Sequence, residues 1–139
     1  MTQTRPYRDV IDRLRAAGLR PTRQRLALAH LLFNGEDRHV TAEQLHGQVI
    51  EASVKVSLVT VYNTLHQFTE AGLLREVVVE PGRAYFDTNT SDHHHFFLED
   101  EGILQDIAVD CMPLDSLPQP PAGSKIERVD VVIRCRKDK

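Results

Sequence analysis

Apolar residues in the first half of the chain recur at helical spacing, and capping residues or glycines separate the runs. The pattern predicts four helices, and Thr41 with Gln44 has the spacing of a capping box at the start of the third. The residues expected on the apolar helix faces are Tyr7, Val10, Ile11, Leu14, Leu28, Leu31, Leu32, Leu58, Val61, Leu65 and Phe68, and Val40 can staple to Leu45.

Beyond the fourth helix the period changes to that of a strand. Residues 75–79 are rich in β-branched side chains, Pro81-Gly82 can turn, and residues 84–87 run back, which predicts a hairpin. Helices followed directly by a hairpin predict a winged helix-turn-helix domain over residues 1–88.

Residues 89–139 predict a small α/β dimerisation domain with a three-stranded antiparallel sheet, so the fold class is α+β. The expected strands are residues 96–98, 103–109 and 126–135, and a proline-rich loop covers 113–124. So short a segment seldom buries enough apolar surface alone, so we expect a second copy of the chain to complete it as a homodimer.

Charge is divided unevenly along the chain, although the net charge is only −3. Residues 1–86 contain 11 basic and 9 acidic side chains, whereas residues 87–139 contain 6 and 11. A basic leading half favours a phosphate-bearing partner there, and a solvated arginine-rich helix face is an equal alternative on charge alone. The leading arginines are Arg5, Arg8, Arg13, Arg15, Arg20, Arg23 and Arg25.

Several classes of protein are disfavoured. No apolar run is long enough to span a membrane, and Met1 to Pro6 lack a signal core, so we expect a cytoplasmic protein. Cys111 and Cys135 lie too far apart for a C-x-x-C zinc motif. No nucleophile elbow, phosphate loop or Glu-bearing metal helix is present, so we expect no enzyme activity, with a metal-dependent hydrolase as the remote alternative.

The fourth helix is the candidate DNA-reading element. Its outer face offers side chains that can touch thymine methyls, pair with adenine through Asn63, or donate to phosphates. Arg20 could enter a minor groove, and Arg83 near the hairpin tip could hold a phosphate. A helical domain that packs against protein is the alternative. The candidate DNA contacts are Arg20, Arg25, Ser57, Val59, Thr60, Tyr62, Asn63 and Arg83.

Three consecutive histidines predict a metal or haem site. On a strand His93 and His95 point one way and His94 the other. His94 would face His39 and Asp87, a set that suits zinc, manganese or iron. The other pair would need a carboxylate from Asp106, Asp110 or Asp115.

Haem is the second possible effector. It needs an axial imidazole from the run His93 to His95 and an apolar shelf, for which Phe96 and Phe97 are candidates unless they belong to the core. A solvent-exposed polar patch without any ligand is the remaining alternative for the histidines.

Several motifs in order resemble the ferric uptake regulator (Fur) family over nearly the whole chain. They are Gly18 to Arg25, His39 to Glu43, Thr60 to Leu65, Ala71 to Leu73 and the histidine run. The stretches Tyr85 to Asn89 and Ser91 to Phe97 most resemble its iron response regulator (Irr) branch.

The resemblance implies a homodimeric transcription regulator of iron and haem homeostasis that binds an A/T-rich palindromic operator. It implies base contacts at Tyr62 and a minor-groove contact at Arg20. The family's hinge metal site maps onto His39, Asp87 and His94, with Phe96 at the fourth ligand position, where it cannot coordinate. A second family site maps onto His93 and His95.

The effector is left open between haem and a metal. In the Irr branch the histidine run is associated with haem sensing, which implies that haem changes DNA affinity here. The alternative is a repressor of the same family that senses ferrous iron, manganese or zinc. No cysteine precedes Cys111, so an N-terminal Cys-Pro haem motif is absent from this sequence.

Overall fold

The computed structural model describes residues 8–138, so the expectations placed on Arg5 and Tyr7 lie outside it. The chain divides into two units, of which the first ends at Thr90 and the second begins at Ser91. The first unit contains α1 (Arg8–Ala16), α2 (Arg23–Leu32), β1 (His39–Val40), α3 (Ala42–Glu51), α4 (Leu58–Glu70), β2 (Arg75–Glu80) and β3 (Arg83–Asp87).

Side-chain caps define where three of these helices begin. Thr41 accepts a hydrogen bond from the Gln44 amide at 3.1 Å, and the Gln44 side chain accepts one from the Thr41 amide at 3.0 Å. The predicted capping box is therefore confirmed. Thr22 caps α2 and Ser57 caps α4 in the same way, each accepting from the amide three residues on.

One face of α4 lies in the core of the first unit. Val61, Leu65 and Phe68 are fully buried, as the pattern predicted. Leu58 is 39 % exposed, so its predicted burial is wrong. It is the first residue of the helix, ahead of the part that the core covers. Thr64 occupies the buried stripe instead, with its hydroxyl donating to the Thr60 carbonyl at 2.8 Å.

The predicted hairpin is confirmed, and it is part of a three-stranded sheet. The strand order is β1-β3-β2, with both pairs antiparallel. The short strand β1 was not predicted because two residues are too few for a periodic signal. Its pairing aligns His39 with Asp87 and Val40 with Phe86.

The second unit contains β4 (His94–Leu98), β5 (Ile103–Ile107), a 3-10 turn (Val109–Cys111) and β6 (Val132–Cys135). The predicted antiparallel sheet is wrong in one pairing, because β4 pairs with β5 antiparallel and with β6 parallel. The strand order β5-β4-β6 explains this result. The chain reverses after β5 but returns on the far side of β4, so β6 runs in the direction of β4.

The apolar core of the second unit is small. Phe97, Leu104 and Ile107 are buried, whereas Ile103 is 48 % and Ile133 is 37 % exposed. Residues 91–138 contain no α-helix, which the predicted α/β domain would need. The prolines between β5 and β6 disfavour one, because proline lacks the amide donor of a helix interior. Across residues 8–138, no helix combines the length and the apolar character needed to cross a membrane.

Candidate functional site

The solvent-facing side of α4 carries most of the candidate DNA contacts. Val59 is 68 % exposed and Tyr62 46 % exposed, and Asn63 is also exposed. Ser57 donates its hydroxyl hydrogen to the Thr60 hydroxyl at 3.0 Å, so both groups are engaged at the helix start. The face therefore presents a methyl-bearing, an aromatic and an amide side chain side by side.

Tyr62 is held by aromatic neighbours. Its ring lies 4.6 Å from the ring of His66, one turn along α4, and 6.4 Å from Phe86 in an edge arrangement. Phe86 is 1 % exposed and belongs to β3 and the core. Edge-to-face contacts at these distances orient a ring as well as bury it. The direction of the Tyr62 side chain is thus tied to the sheet.

The side chain of Arg25 forms hydrogen bonds within the first unit. Its guanidinium donates twice to the Gln67 side-chain oxygen, at 3.0 and 3.3 Å, and once to the Arg20 carbonyl at 2.9 Å. These bonds join the segment ahead of α2 to α4. Arg20 itself is exposed. The candidate contacts Arg20 and Arg25 therefore lie next to each other. The Arg25 side chain holds the Arg20 backbone against α4.

Arg83 lies near the tip of the hairpin with an anion beside it. Its guanidinium is 3.3 Å from the Glu80 carboxylate and donates to the Tyr85 hydroxyl at 3.4 Å. The hydrogen bond with Tyr85, followed by the contact with Glu80, raises the pKa of Arg83 above its ordinary value. A phosphate at this position has to compete with Glu80.

In the first unit, the half-buried His39 and the buried Asp87 form a pair of donors. Their alignment on β1 and β3 brings His39 Nε2 to 3.2 Å from Asp87 Oδ2. Asp87 is fully buried, and its Oδ1 accepts a hydrogen bond from the Asn89 amide at 2.9 Å. A buried carboxylate held in this way needs a positive or donating neighbour, which His39 can supply.

In the second unit, two imidazoles converge on one carboxylate. His93 Nε2 and His95 Nε2 each lie 3.2 Å from the same oxygen, Oδ1 of Asp106. Both histidines are buried, and the ligand atoms of the three residues lie within 4.8 Å of one another. The antiparallel register explains the placement, because His95 on β4 is directly opposite Asp106 on β5.

The hydrogen bonding of His93 suits a metal. His93 Nδ1 lies 2.6 Å from the Ser91 carbonyl, which can only accept, so this nitrogen carries the hydrogen. When the ring is neutral, its Nε2 therefore offers a lone pair toward Asp106, and a carboxylate oxygen also offers only lone pairs. A cation among these donors satisfies both groups, and a backbone carbonyl behind a ligating imidazole is the usual orienting partner. The donor set therefore fits a divalent metal.

The remaining ligand candidates from the sequence do not join His93, His95 and Asp106. His94 points to the other face of β4, as alternation predicted, and its Nδ1 accepts a hydrogen bond from the Val131 amide at 3.1 Å. Asp110 and Asp115 do not belong to the donor group found within residues 8–138. Phe97 is a core residue and Phe96 is half-buried. Asp106 could have been selected from the sequence by aligning β4 with β5 across the turn between them.

Comparison with known proteins decides the family. The model of the ferric uptake regulator family matches residues 16–114, which is well over half of the chain. The chain belongs to the ferric uptake regulator family. The matched range includes α2 to α4, the first sheet and the strands β4 and β5.

Curated ferric uptake regulators align with part of the chain. The Vibrio cholerae ferric uptake regulation protein is 37 % identical over 81 residues, covering 58 % of this chain and 54 % of that protein. The Pseudomonas aeruginosa protein is 39 % identical over 90 residues, covering 64 % and 67 %. The chain thus spans about half the length of the first of these relatives.

A solved ferric uptake regulator extends the likeness to both units. The Pseudomonas aeruginosa structure, determined with manganese, covers 92 % of this chain and 97 % of its own at 28 % identity, with a TM-score of 0.68. Family membership therefore rests on the sequence match and the fold alike.

The bridge between Arg25 and Gln67 gives a first prediction. We expect Arg25→Met and Gln67→Met each to lower the free energy of unfolding by about 1–2 kcal/mol, because each removes the same pair of hydrogen bonds. The double variant should cost little more than either single one. Urea unfolding followed by circular dichroism measures this, and Gln105→Met on β5 is the exposed control. Additive losses would show that the two side chains act independently.

Proposed function

We propose that this chain is a homodimeric DNA-binding transcription regulator whose affinity for its operator depends on a divalent metal. The convergence of His93 and His95 on Asp106 is the observation that carries the proposal, because it supplies three metal donors in a family named for ferric uptake. Iron, manganese and zinc are the candidate ions for such a donor set.

The first unit supplies the DNA-binding part of the proposal. We read α3 and α4 as a helix-turn-helix and the β2–β3 hairpin as its wing. Asn63 is placed to pair with adenine, and Val59 and Tyr62 offer contacts to thymine methyl groups. Arg20, Ser57 and Thr60 remain proposed contacts of the same surface. Arg25 is proposed to act through its bonds to α4 and the Arg20 carbonyl.

A second copy of the chain is proposed as the partner of the second unit. Its core is thin, and large apolar side chains lie exposed along it, which favours burial against another protein surface. A two-fold dimer reads two half-sites, so we propose a palindromic operator, rich in A/T because of the Asn63 and Arg20 contacts. The exposed apolar residues are Ile103, Leu114, Leu117, Ile126 and Ile133.

The metal would be held by the Nε2 atoms of His93 and His95 and by the Asp106 carboxylate. A bound divalent ion would cross-link β4 to β5 and neutralise the carboxylate among the two imidazoles. The Ser91 carbonyl orients His93, so the chain itself fixes which nitrogen is offered. His39 and Asp87 are proposed as a further donor pair. If His94 also serves as a ligand, only its Nε2 is left for that role.

Haem sensing of the iron response regulator type is a second candidate function, and His94 favours it. This imidazole is more accessible than its two neighbours, and the backbone bond to Nδ1 leaves Nε2 as an axial donor. Phe96, half-buried on the same face of β4, is the nearest candidate for an apolar shelf.

Operator recognition tests the DNA-binding proposal. A random library should yield an A/T-rich palindrome, and Asn63→Ala should weaken binding to it by about 10-fold to 100-fold for each half-site, since one bidentate base contact is worth about 1–3 kcal/mol. The loss should be confined to one base-pair position per half-site. Gln105→Ala, which removes an exposed amide from the second unit, should bind as the original protein does. Failure to select any sequence would contradict the proposal.

Metal titration tests the sensor proposal. We expect Asp106→Asn to weaken Co²⁺ or Mn²⁺ binding by at least about 10-fold, because even the loss of a supporting partner of a ligand costs that much. Asp110→Asn makes the same charge change on an exposed carboxylate nearby and should leave the affinity unchanged. The visible spectrum of bound Co²⁺ reports the coordination directly. Equal affinities of the two variants would rule out this donor set.

Haem titration separates the second candidate from the first. If haem is the effector, the Soret band should shift on binding, and His94→Ala should abolish the shift while His30→Ala preserves it. The loss follows from removing the axial imidazole. A Soret shift that survives His94→Ala would contradict His94 as the axial ligand, and the absence of any shift with the unsubstituted protein would leave the metal as the effector.

A further inference from the structure

A cationic groove on the first unit belongs to none of the sites described above. It has a volume of about 730 Å³ and is lined on one side by the first turns of α2 and on the other by residues 53–55, which connect α3 to α4. Arg23 and Lys55 contribute its charge, and Leu26 and Val54 contribute apolar surface.

The charge of this groove is not neutralised within the chain. Arg23 and Lys55 are both exposed, and among residues 8–138 neither has an ion-pair or hydrogen-bond partner for its side chain. The first turns of α2 and α4 contain no acidic residue, whereas those of α1 and α3 contain Asp9 and Glu43. Positive charge beside an acid-free helix start favours an anion.

The connection that carries Lys55 is held by backbone hydrogen bonds. Ser53 has a φ of 63°, which turns the chain sharply after α3. The Ser53 amide donates to the Ile50 carbonyl at 3.0 Å, and the Val54 amide donates to the Val49 carbonyl at 3.1 Å. Lys55 therefore extends from a fixed piece of backbone, so little order has to be created when an anion binds.

Both walls of the groove continue along the chain into the proposed DNA-binding surface. Arg23 follows Arg20 by three residues, and Lys55 precedes Ser57, the cap of α4, by two. A polyanion that contacts Arg20 and the start of α4 would thus pass the groove. A sugar-phosphate backbone matches the groove in both respects, because it carries regularly spaced charges and apolar sugar faces.

We propose that this groove seats the operator backbone and that Arg23 and Lys55 each neutralise one phosphate. The inference rests on the proposed DNA-binding function and adds two contacts to it. Such contacts position the protein on the duplex without reading sequence. They therefore contribute to binding of every DNA and not to the choice among sequences.

The salt dependence of DNA binding tests this assignment. We expect Arg23→Gln and Lys55→Gln each to reduce the slope of log Kd against log [KCl] by about 0.9 per protomer, which is about 1.8 for the dimer, and the double variant by about twice that amount, because each phosphate contact releases one counterion. Binding at low salt should weaken by the same factor for operator and scrambled DNA. Arg23→Lys should keep the slope, and Lys125→Gln in the second unit is the matched control.

The outcomes distinguish a failure of the proposed function from a failure of the groove assignment. If the unsubstituted dimer shows no salt-dependent binding to any DNA, the proposed function itself fails. If it binds but the slopes of both glutamine variants are unchanged while they fold normally by circular dichroism, the groove does not hold the backbone. The assignment is also overturned if Lys55→Gln alters sequence preference at an unchanged slope, or abolishes binding of inorganic pyrophosphate without changing that slope.

Discussion

The burial of one face of α4 is the interaction on which the first unit depends. Val61, Leu65 and Phe68 fix the rotation of the helix about its own axis, and the side chains between them are thereby turned outward. A substitution that rotated this helix would move Val59, Tyr62 and Asn63 together. Core packing thus determines which side chains form the surface proposed to read DNA. Phe86 adds a contact that orients the Tyr62 ring.

In the second unit, the alternation of side chains along a strand positions the candidate metal ligands. Side chains alternate along β4, so three adjacent histidines are separated into two buried imidazoles on one side and one on the other. The pairing with β5 then brings a carboxylate to the buried pair. Sensing and assembly are proposed for one small sheet, and its limited core means that a bound ion or a second copy would contribute a large share of its stability.

Local signals predicted the local structure well. The capping box at Thr41, the hairpin and the split among the histidines follow from chemistry within a few residues, and the structure agrees with them. The parallel pairing of β6 could not be predicted, because it depends on the side of β4 to which a long connection returns. The exposure of Leu58 depends likewise on where the core ends. Asp106 could be named only as one of three carboxylates, since strand register decides among them.

Glu80 gives the hairpin a property that an isolated arginine would lack. Its carboxylate occupies the place beside Arg83 that a phosphate would take, so an incoming backbone gains only the difference between two anions. Under the proposed function, a DNA backbone of any sequence would have to displace this carboxylate, so the hairpin tip would add little to non-specific binding. The hairpin would then contribute less to the residence time on random DNA than an arginine without a neighbouring carboxylate would.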